Sequence, residues 1–188
     1  MPKVILFNGP PRSGKDEATK SALNTLGGTG AHYRLAGPLK DAVHSLFGMS
    51  DVIQEHFTDV KDDPNPDFAG MTPREAYIWM SEKVAKPKFG GYFFAQLAVK
   101  TIQARFDNNV VVISDCGFSE EAEELIEAFG TDNVVIVHIE RKGATFKKDK
   151  RSYITGLDCE NYELENNGTL DELHIKVGEI IKEFVHAK

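Results

Sequence analysis

Gly9, Gly14 and Lys15, within the stretch FNGPPRSGKDEATK at residues 7–20, satisfy the spacing G-x-x-x-x-G-K. A glycine-rich turn between a strand and a helix aims successive backbone N–H groups inward, where they cradle phosphate oxygens, and the helix N-terminus adds partial positive charge. Lys15 can then reach the outer phosphates of a nucleotide. The plain alternative is a glycine turn carrying a surface lysine; the strand expected before the loop and the helix expected after it favour the nucleotide reading. The next residue is Asp16, where such loops usually carry a magnesium-binding Ser or Thr. A carboxylate at a helix N-terminus contributes about 0.3–1 kcal/mol through the helix dipole alone. It is also a hard oxygen ligand of the kind Mg²⁺ takes. Both roles stay open for Asp16.

Three further groups could serve phosphate chemistry. Asp115 closes the apolar run VVVISD, and in open α/β sheets ligands gather beyond the carboxyl ends of the strands. It could hold Mg²⁺ through water, or it could cap the helix expected from Ser119. The segment ERKGATFKKDKR, residues 140–151, concentrates Arg141, Lys142, Lys147, Lys148, Lys150 and Arg151 in an otherwise acidic chain. A charge run is usually a solvated loop, but directly after a strand it could close over a transferring phosphoryl group and neutralise its oxygens. Arg34, Lys40 and Arg74 lie near expected helix starts at Pro38 and Thr72. Each alone reads as a surface cation; together they suit an acceptor phosphate, which arginine grips with a planar fork.

The elements needed to position these groups are legible as apolar runs and punctuation. KVILFN (3–8), HYRLAG (32–37), NVVVIS (109–114), NVVIVHI (133–139) and YELEN (162–166) read as strands. Helices are expected from Gly14 to the Gly27–Gly28 stop, over PLKDAVHSLFG, over TPREAYIWMSEKVA, over YFFAQLAVKTIQARF, over SEEAEELIEAFG and over TLDELHIKVGEIIKEFV. Thr72, Pro73 and Glu75 form a capping-box start, and residues 59–71, rich in proline and acid, read as a surface loop. Continuous apolar strands alternating with helices imply a parallel sheet covered on both faces, an α/β fold. Tyr77, Trp79, Phe89, Tyr92, Phe93 and Phe94 could stack on a base but at this spacing read mostly as helix packing, with one or two left to touch a ligand, and His138, inside an apolar run, reads as a satisfied buried histidine.

Composition narrows the function classes. The 188 residues, 41% hydrophobic and 27% charged, suit one globular domain, and a net charge of −7 argues against a broad nucleic-acid-coating face. Two distant cysteines, Cys116 and Cys159, have no metal-type spacing and make a disulfide framework improbable. No run has the length of a signal peptide or a membrane span, so a cytoplasmic protein is expected, working on small-molecule nucleotides, with a homodimer left open.

Taken in order along the chain, RSGKD (12–16), LAGPLKDA (35–42), VVVISDCGF (110–118) ahead of an acidic helix, and ENNGTLDEL (165–173) resemble the deoxynucleoside monophosphate kinases of tailed bacteriophages, within the nucleoside monophosphate kinase group of phosphate-loop proteins. The resemblance implies a five-stranded parallel sheet, a monophosphate-binding insert at about 34–106 and a lid at about 141–157, all within one domain spanning 1–188. It implies transfer of a phosphoryl group from ATP, with Mg²⁺, to a (deoxy)nucleoside monophosphate, in the host cytoplasm if the gene is a phage's.

Carried onto this chain, Gly9, Pro10, Arg12, Ser13, Gly14, Lys15, Asp16 and Glu17 would hold ATP, with Asn166, Asn167 and Gly168 near its adenine. Asp16 and Asp115 would attend the metal; Arg34, Lys40 and Arg74 the acceptor; Lys15, Asp115, Arg141 and Arg151 the transfer itself. The chain departs from that family in one place. Where relatives often have Asp-x-Arg it has Asp115-Cys116-Gly117, so another residue, Arg141 or Arg151, must supply the phosphate-binding guanidinium. The rivals are a kinase of another small acceptor, such as dephospho-coenzyme A or a nucleoside, and a nucleotide-binding protein that is not a kinase. No N-K-x-D guanine motif is present.

Overall fold

Five parallel strands order as β2-β3-β1-β4-β5 in the computed structural model, which describes residues 1–52, 54–107, 109–147 and 149–186. They are β1 (Lys3–Asn8), β2 (Gly30–Tyr33), β3 (Val110–Ile113), β4 (Val134–Glu140) and β5 (Glu160–Glu165). Their register aligns Leu6 with both Ile113 and Ile136, so the carboxyl ends of the three central strands lie side by side. The expected five-stranded parallel sheet, with helices on both faces, is the fold observed.

Strand alternation assigns the two faces. Val4, Leu6, Val111, Ile113, Val134 and Ile136 face a core shared with α5 (Phe93–Arg105) and α6 (Ser119–Phe129). Ile5, Phe7, Val112, Val135, Val137 and Ile139 face the opposite core, built by Ala18 and Ala22 of α1 (Lys15–Leu26) and by Leu173, Val177, Ile181 and Phe184 of α7 (Leu170–His186). Each buried Val, Leu, Ile or Phe among them contributes about 1.5–3 kcal/mol. Because both faces are covered, the strands read as unbroken apolar runs rather than as alternating ones. No helix among the described residues is long and apolar enough to cross a membrane.

The connection from β2 to β3 carries α2 (Gly37–Leu46), α3 (Pro73–Trp79), a π-helical turn (Met80–Ala85) and α4 (Lys86–Phe89) before α5. The capping box at Thr72 and Glu75 forms as expected, with Pro73 at the first helical position. Beyond it, the helix expected to run to Ala85 widens into the π turn. Pro87 lacks the N–H that would bond the carbonyl four residues back, and its ring crowds that carbonyl, so the preceding turn opens. Residues 59–71 are mostly exposed but not a bare loop: Phe68 is fully buried and packs with Phe57, Val43 and Ala76 in a small core of their own. His44 sits in that core, its Nε2 2.8 Å from the Tyr77 hydroxyl and its Nδ1 3.2 Å from the Val52 carbonyl.

Three expectations need correction here. The strand expected over 32–37 stops at Tyr33, because Gly37 N–H turns back to the Arg34 carbonyl (3.0 Å) and the N–H groups of Leu35 and Ala36 are taken by Asp115. Asp115 does not cap the helix from Ser119, whose N-cap position is Phe118. Trp79, Phe89 and Tyr92 are each about half exposed rather than core, though Phe89 stacks on Phe93 with ring centroids 4.5 Å apart.

Candidate functional site

Loop 9–14 leaves β1 and bends under two glycines whose places leave no room for a side chain unless a neighbour shifts. A Cβ on Gly9 would lie 2.7 Å from the Ile139 carbonyl oxygen, and one on Gly14, already at φ 103°, would lie 2.3 Å from Asn166 Nδ2. Arg12 also adopts a left-handed backbone, at φ 65°. Asn166 locks the loop from β5: its Nδ2 donates to the Ser13 carbonyl (2.8 Å), and its backbone N–H donates to Glu140 O. The buried Ser13 Oγ has no partner among the described residues. Gly14 is the N-cap of α1 and brings no side chain, so the first-turn N–H groups of that helix are left for an external acceptor.

Lys15 bends back over this loop, donating to the carbonyls of Gly9 (2.7 Å) and Pro10 (2.8 Å). Burial, and after it the charge of neighbouring Arg151, lower its pKa to about 8 against the opposing pull of Asp16, Asp149 and Asp115. Arg151 is held by a bidentate pair, Nε to Asp149 Oδ1 at 2.9 Å and Nη2 to Oδ2 at 2.6 Å, which pushes the Asp149 carboxyl down to about 2. Two cations therefore gather at the carboxyl end of the central strands, Arg151 paired with Asp149 and Lys15 within the field of Asp16, Asp149 and Asp115. Asp16 is exposed at the helix start, whereas Glu17, expected among the nucleotide contacts, turns to Lys20 at 3.1 Å.

Asp115 stands opposite, its Oδ1 accepting from Leu35 N–H (2.9 Å) and its Oδ2 from Ala36 N–H (3.0 Å). It thereby ties the end of β3 to the start of α2 and brings that helix's Lys40 into the neighbourhood. Burial and the nearby Arg34 lower the Lys40 pKa; its Nζ lies 5.7 Å from the Tyr77 ring centroid. Arg34 pairs with Glu55, and Arg74 with Asp62, both at exposed positions. Such pairs are worth about 0–1 kcal/mol, so either arginine is released to an incoming phosphate at small cost. Lys61, whose charge is felt at Lys40 and Asp62, joins this second cationic group. An open cleft of about 600 Å³ runs beside it along the β2 edge, lined by His32, Tyr33, Arg34, Asp41, Gln54 and Arg105 among others, with no residue of loop 9–14 in its wall.

The segment after β4 divides. The charge of Arg151 is felt at Lys15, whereas Arg141 is exposed. Lys150 touches Glu82 of the π turn at 3.4 Å, Lys147 is exposed, and Lys148 lies outside the described residues. Asn167, expected near adenine, spends its side chain on protein: Oδ1 accepts from Lys142 N–H (2.7 Å) and Nδ2 donates to Glu165 (2.7 Å). His138 is buried with both ring nitrogens bonded, to Glu163 (2.8 Å) and to the Ile154 carbonyl (2.7 Å), as expected of a core histidine.

Reading the sequence missed Asn8, Lys61 and Glu121. Asn8, at the last position of β1, donates to the carbonyls of Cys116 and Ser152 (3.2 Å each) and accepts from Ile154 N–H (3.1 Å). Glu121 accepts from Gly117 N–H (3.3 Å), and burial raises its carboxyl to about 7. The signal for Glu121 was its spacing of four from Leu125 and eight from Phe129, which puts it on the buried face of an otherwise acidic helix. Lys61 gave no signal beyond its charge. Among the described residues no three His, Cys, Asp or Glu side chains cluster for a metal.

No family model matches the chain, and no curated protein matches its sequence. Solved structures similar to it include an unliganded sugar kinase from Janibacter sp. HTCC2649, at 14% identity over 94% of this chain and 92% of that one, with a TM-score of 0.49. A candidate kinase from Chloroflexus aurantiacus J-10-fl is similar at 10% identity over 95% and 97%, with a TM-score of 0.49. Likeness at this level assigns neither an activity nor an acceptor to this chain.

Proposed function

We propose that the protein transfers the terminal phosphoryl group of ATP to a (deoxy)nucleoside monophosphate, giving the diphosphate and ADP. The observation that carries the reading is the convergence of Lys15, Arg151 and the uncapped start of α1 around a loop whose glycines bring backbone close, facing a second cationic group at Lys40, Lys61 and Arg74. Two cationic groups suit two phosphate-bearing ligands.

In this reading, loop 9–14 and the first N–H groups of α1 cradle the phosphate chain, and Ser13 Oγ gains the partner it lacks. Lys15 exchanges its two carbonyl acceptors for phosphate oxygens, and Arg151 leaves Asp149 for the group in transit. Lys40, Lys61 and Arg74 hold the acceptor phosphate, already largely ionised, in line for attack, so no general base is required. Rate comes from orientation and from charge placed where the equatorial oxygens gather it. A magnesium site of one or two carboxylates completed by substrate phosphates and water needs no preformed cluster, and Asp16 and Asp115 fit it. The ion would neutralise phosphate charge that Asp16 otherwise opposes.

ADP formation from Mg-ATP, measured across ribo- and deoxynucleoside monophosphates, nucleosides and other small alcohols, tests the reading. Turnover is expected with at least one monophosphate and is expected to collapse in Lys15→Ala. Turnover confined to an acceptor that is not a nucleotide would reject the acceptor, and near-normal Lys15→Ala activity would reject the site.

A further inference from the structure

Gly117 is not in a left-handed conformation, so its backbone does not demand glycine. Space does. A Cβ built there would lie 2.3 Å from Arg151 Cδ, 2.7 Å from Cγ and 3.3 Å from Cβ: the arginine's stem occupies the volume a side chain at 117 would need. In the unliganded protein the stem is held there by its guanidinium, which donates two hydrogen bonds to Asp149 and lies in the field of Asp115 and Glu121.

Two buried side chains fix the seat and the arginine relative to each other. Asn8 grips the carbonyls on either side of the contact, Cys116 O and Ser152 O, and also accepts Ile154 N–H, so one carboxamide sets the separation of residues 116 and 152. Glu121 holds the Gly117 N–H from below. Asn8 is 1% exposed and Glu121 6%, so neither bond competes with bulk water.

We propose that Gly117 is the seat of Arg151, and that Asn8 and Glu121 are positioning residues that lock seat and arginine together beside Lys15. The site's phosphate-facing guanidinium is thus delivered by the chain returning after β4, over a glycine in the turn after β3. The inference rests on the reading that loop 9–14 binds the phosphates of ATP, and it assigns Arg151 to the outermost one, beyond the reach of ADP.

The test is calorimetric affinity for ATP and for ADP, which needs no acceptor and no turnover. Wild type is expected to prefer ATP. Arg151→Gly and Gly117→Ala should each weaken ATP by about tenfold or more, the loss of one charged hydrogen-bond donor, while ADP changes little. The double variant Gly117→Arg with Arg151→Gly roots a guanidinium in the vacated volume and should regain much of the preference. Glu121→Ala should lose the preference, whereas Glu121→Gln, which still accepts the Gly117 N–H, should keep it. A merely structural role for Glu121 would move ATP and ADP together, and that result would overturn its assignment. ATP preference intact in both Arg151→Gly and Gly117→Ala overturns the proposal alone. Wild type that binds neither nucleotide overturns the phosphate reading and the proposal with it.

Discussion

Lys15 should make ATP affinity fall with pH in a range where the nucleotide's own phosphates no longer titrate. In the free protein burial and Arg151 hold its pKa near 8; a bound phosphate chain would return it toward the ordinary 10.5. A group whose pKa is depressed in the free state takes up a proton when an anion arrives. Below about pH 7 the lysine is charged before and after binding and nothing changes; near pH 9 only about a tenth of the free protein carries the charge, so apparent affinity drops about tenfold from its value at pH 7. Calorimetry in two buffers of different ionisation enthalpy reads the same event directly. Proton uptake should rise from about 0.1 per ATP at pH 7 to about 0.9 at pH 9. Lys15→Arg, permanently charged, should flatten both curves. Affinity that is flat across this range in the wild type, or a slope that survives in Lys15→Arg, refutes the placement of Lys15 against the phosphates.

Glu121, raised from 4.5 to about 7, contributes stability that is present below about pH 4.5 and is lost as pH rises through about 7. The loss is at most about 3 kcal/mol, so Glu121→Gln should show a melting temperature that is flatter over that window and higher at pH 8. Asp16→Ser should change the Mg²⁺ concentration that half-saturates turnover; an unchanged titration would remove the metal role. Lys61→Ala should raise the acceptor KM several-fold with ATP KM unaltered, and equal effects on both would take Lys61 out of the acceptor group.

The strands were legible because parallel strands covered on both faces must be apolar throughout, and the G-x-x-x-x-G-K loop because its spacing is local. The capping box at Thr72 was legible for the same reason. What stayed hidden was set by partners distant in the chain. β2 ends at Tyr33 because a carboxylate 80 residues later takes the N–H groups of the next turn. The missing guanidinium after Asp115 looked like a loss, since nothing in the local sequence says that Arg151 folds across Gly117. Phe57 and Phe68 bury themselves in a segment whose prolines and acids gave it the composition of a solvated loop. Asn167 has the residue type of a ligand contact, and only the three-dimensional arrangement shows its amide already engaged.

Transfer of label from γ-phosphate-labelled ATP into a nucleoside diphosphate, followed in wild type and Lys15→Ala with each deoxynucleoside monophosphate, tests the central claim most directly. The structure leads one to expect labelled diphosphate from at least one monophosphate in the wild type and almost none in the variant. Label that appears only as free phosphate, or equally in both proteins, would contradict it.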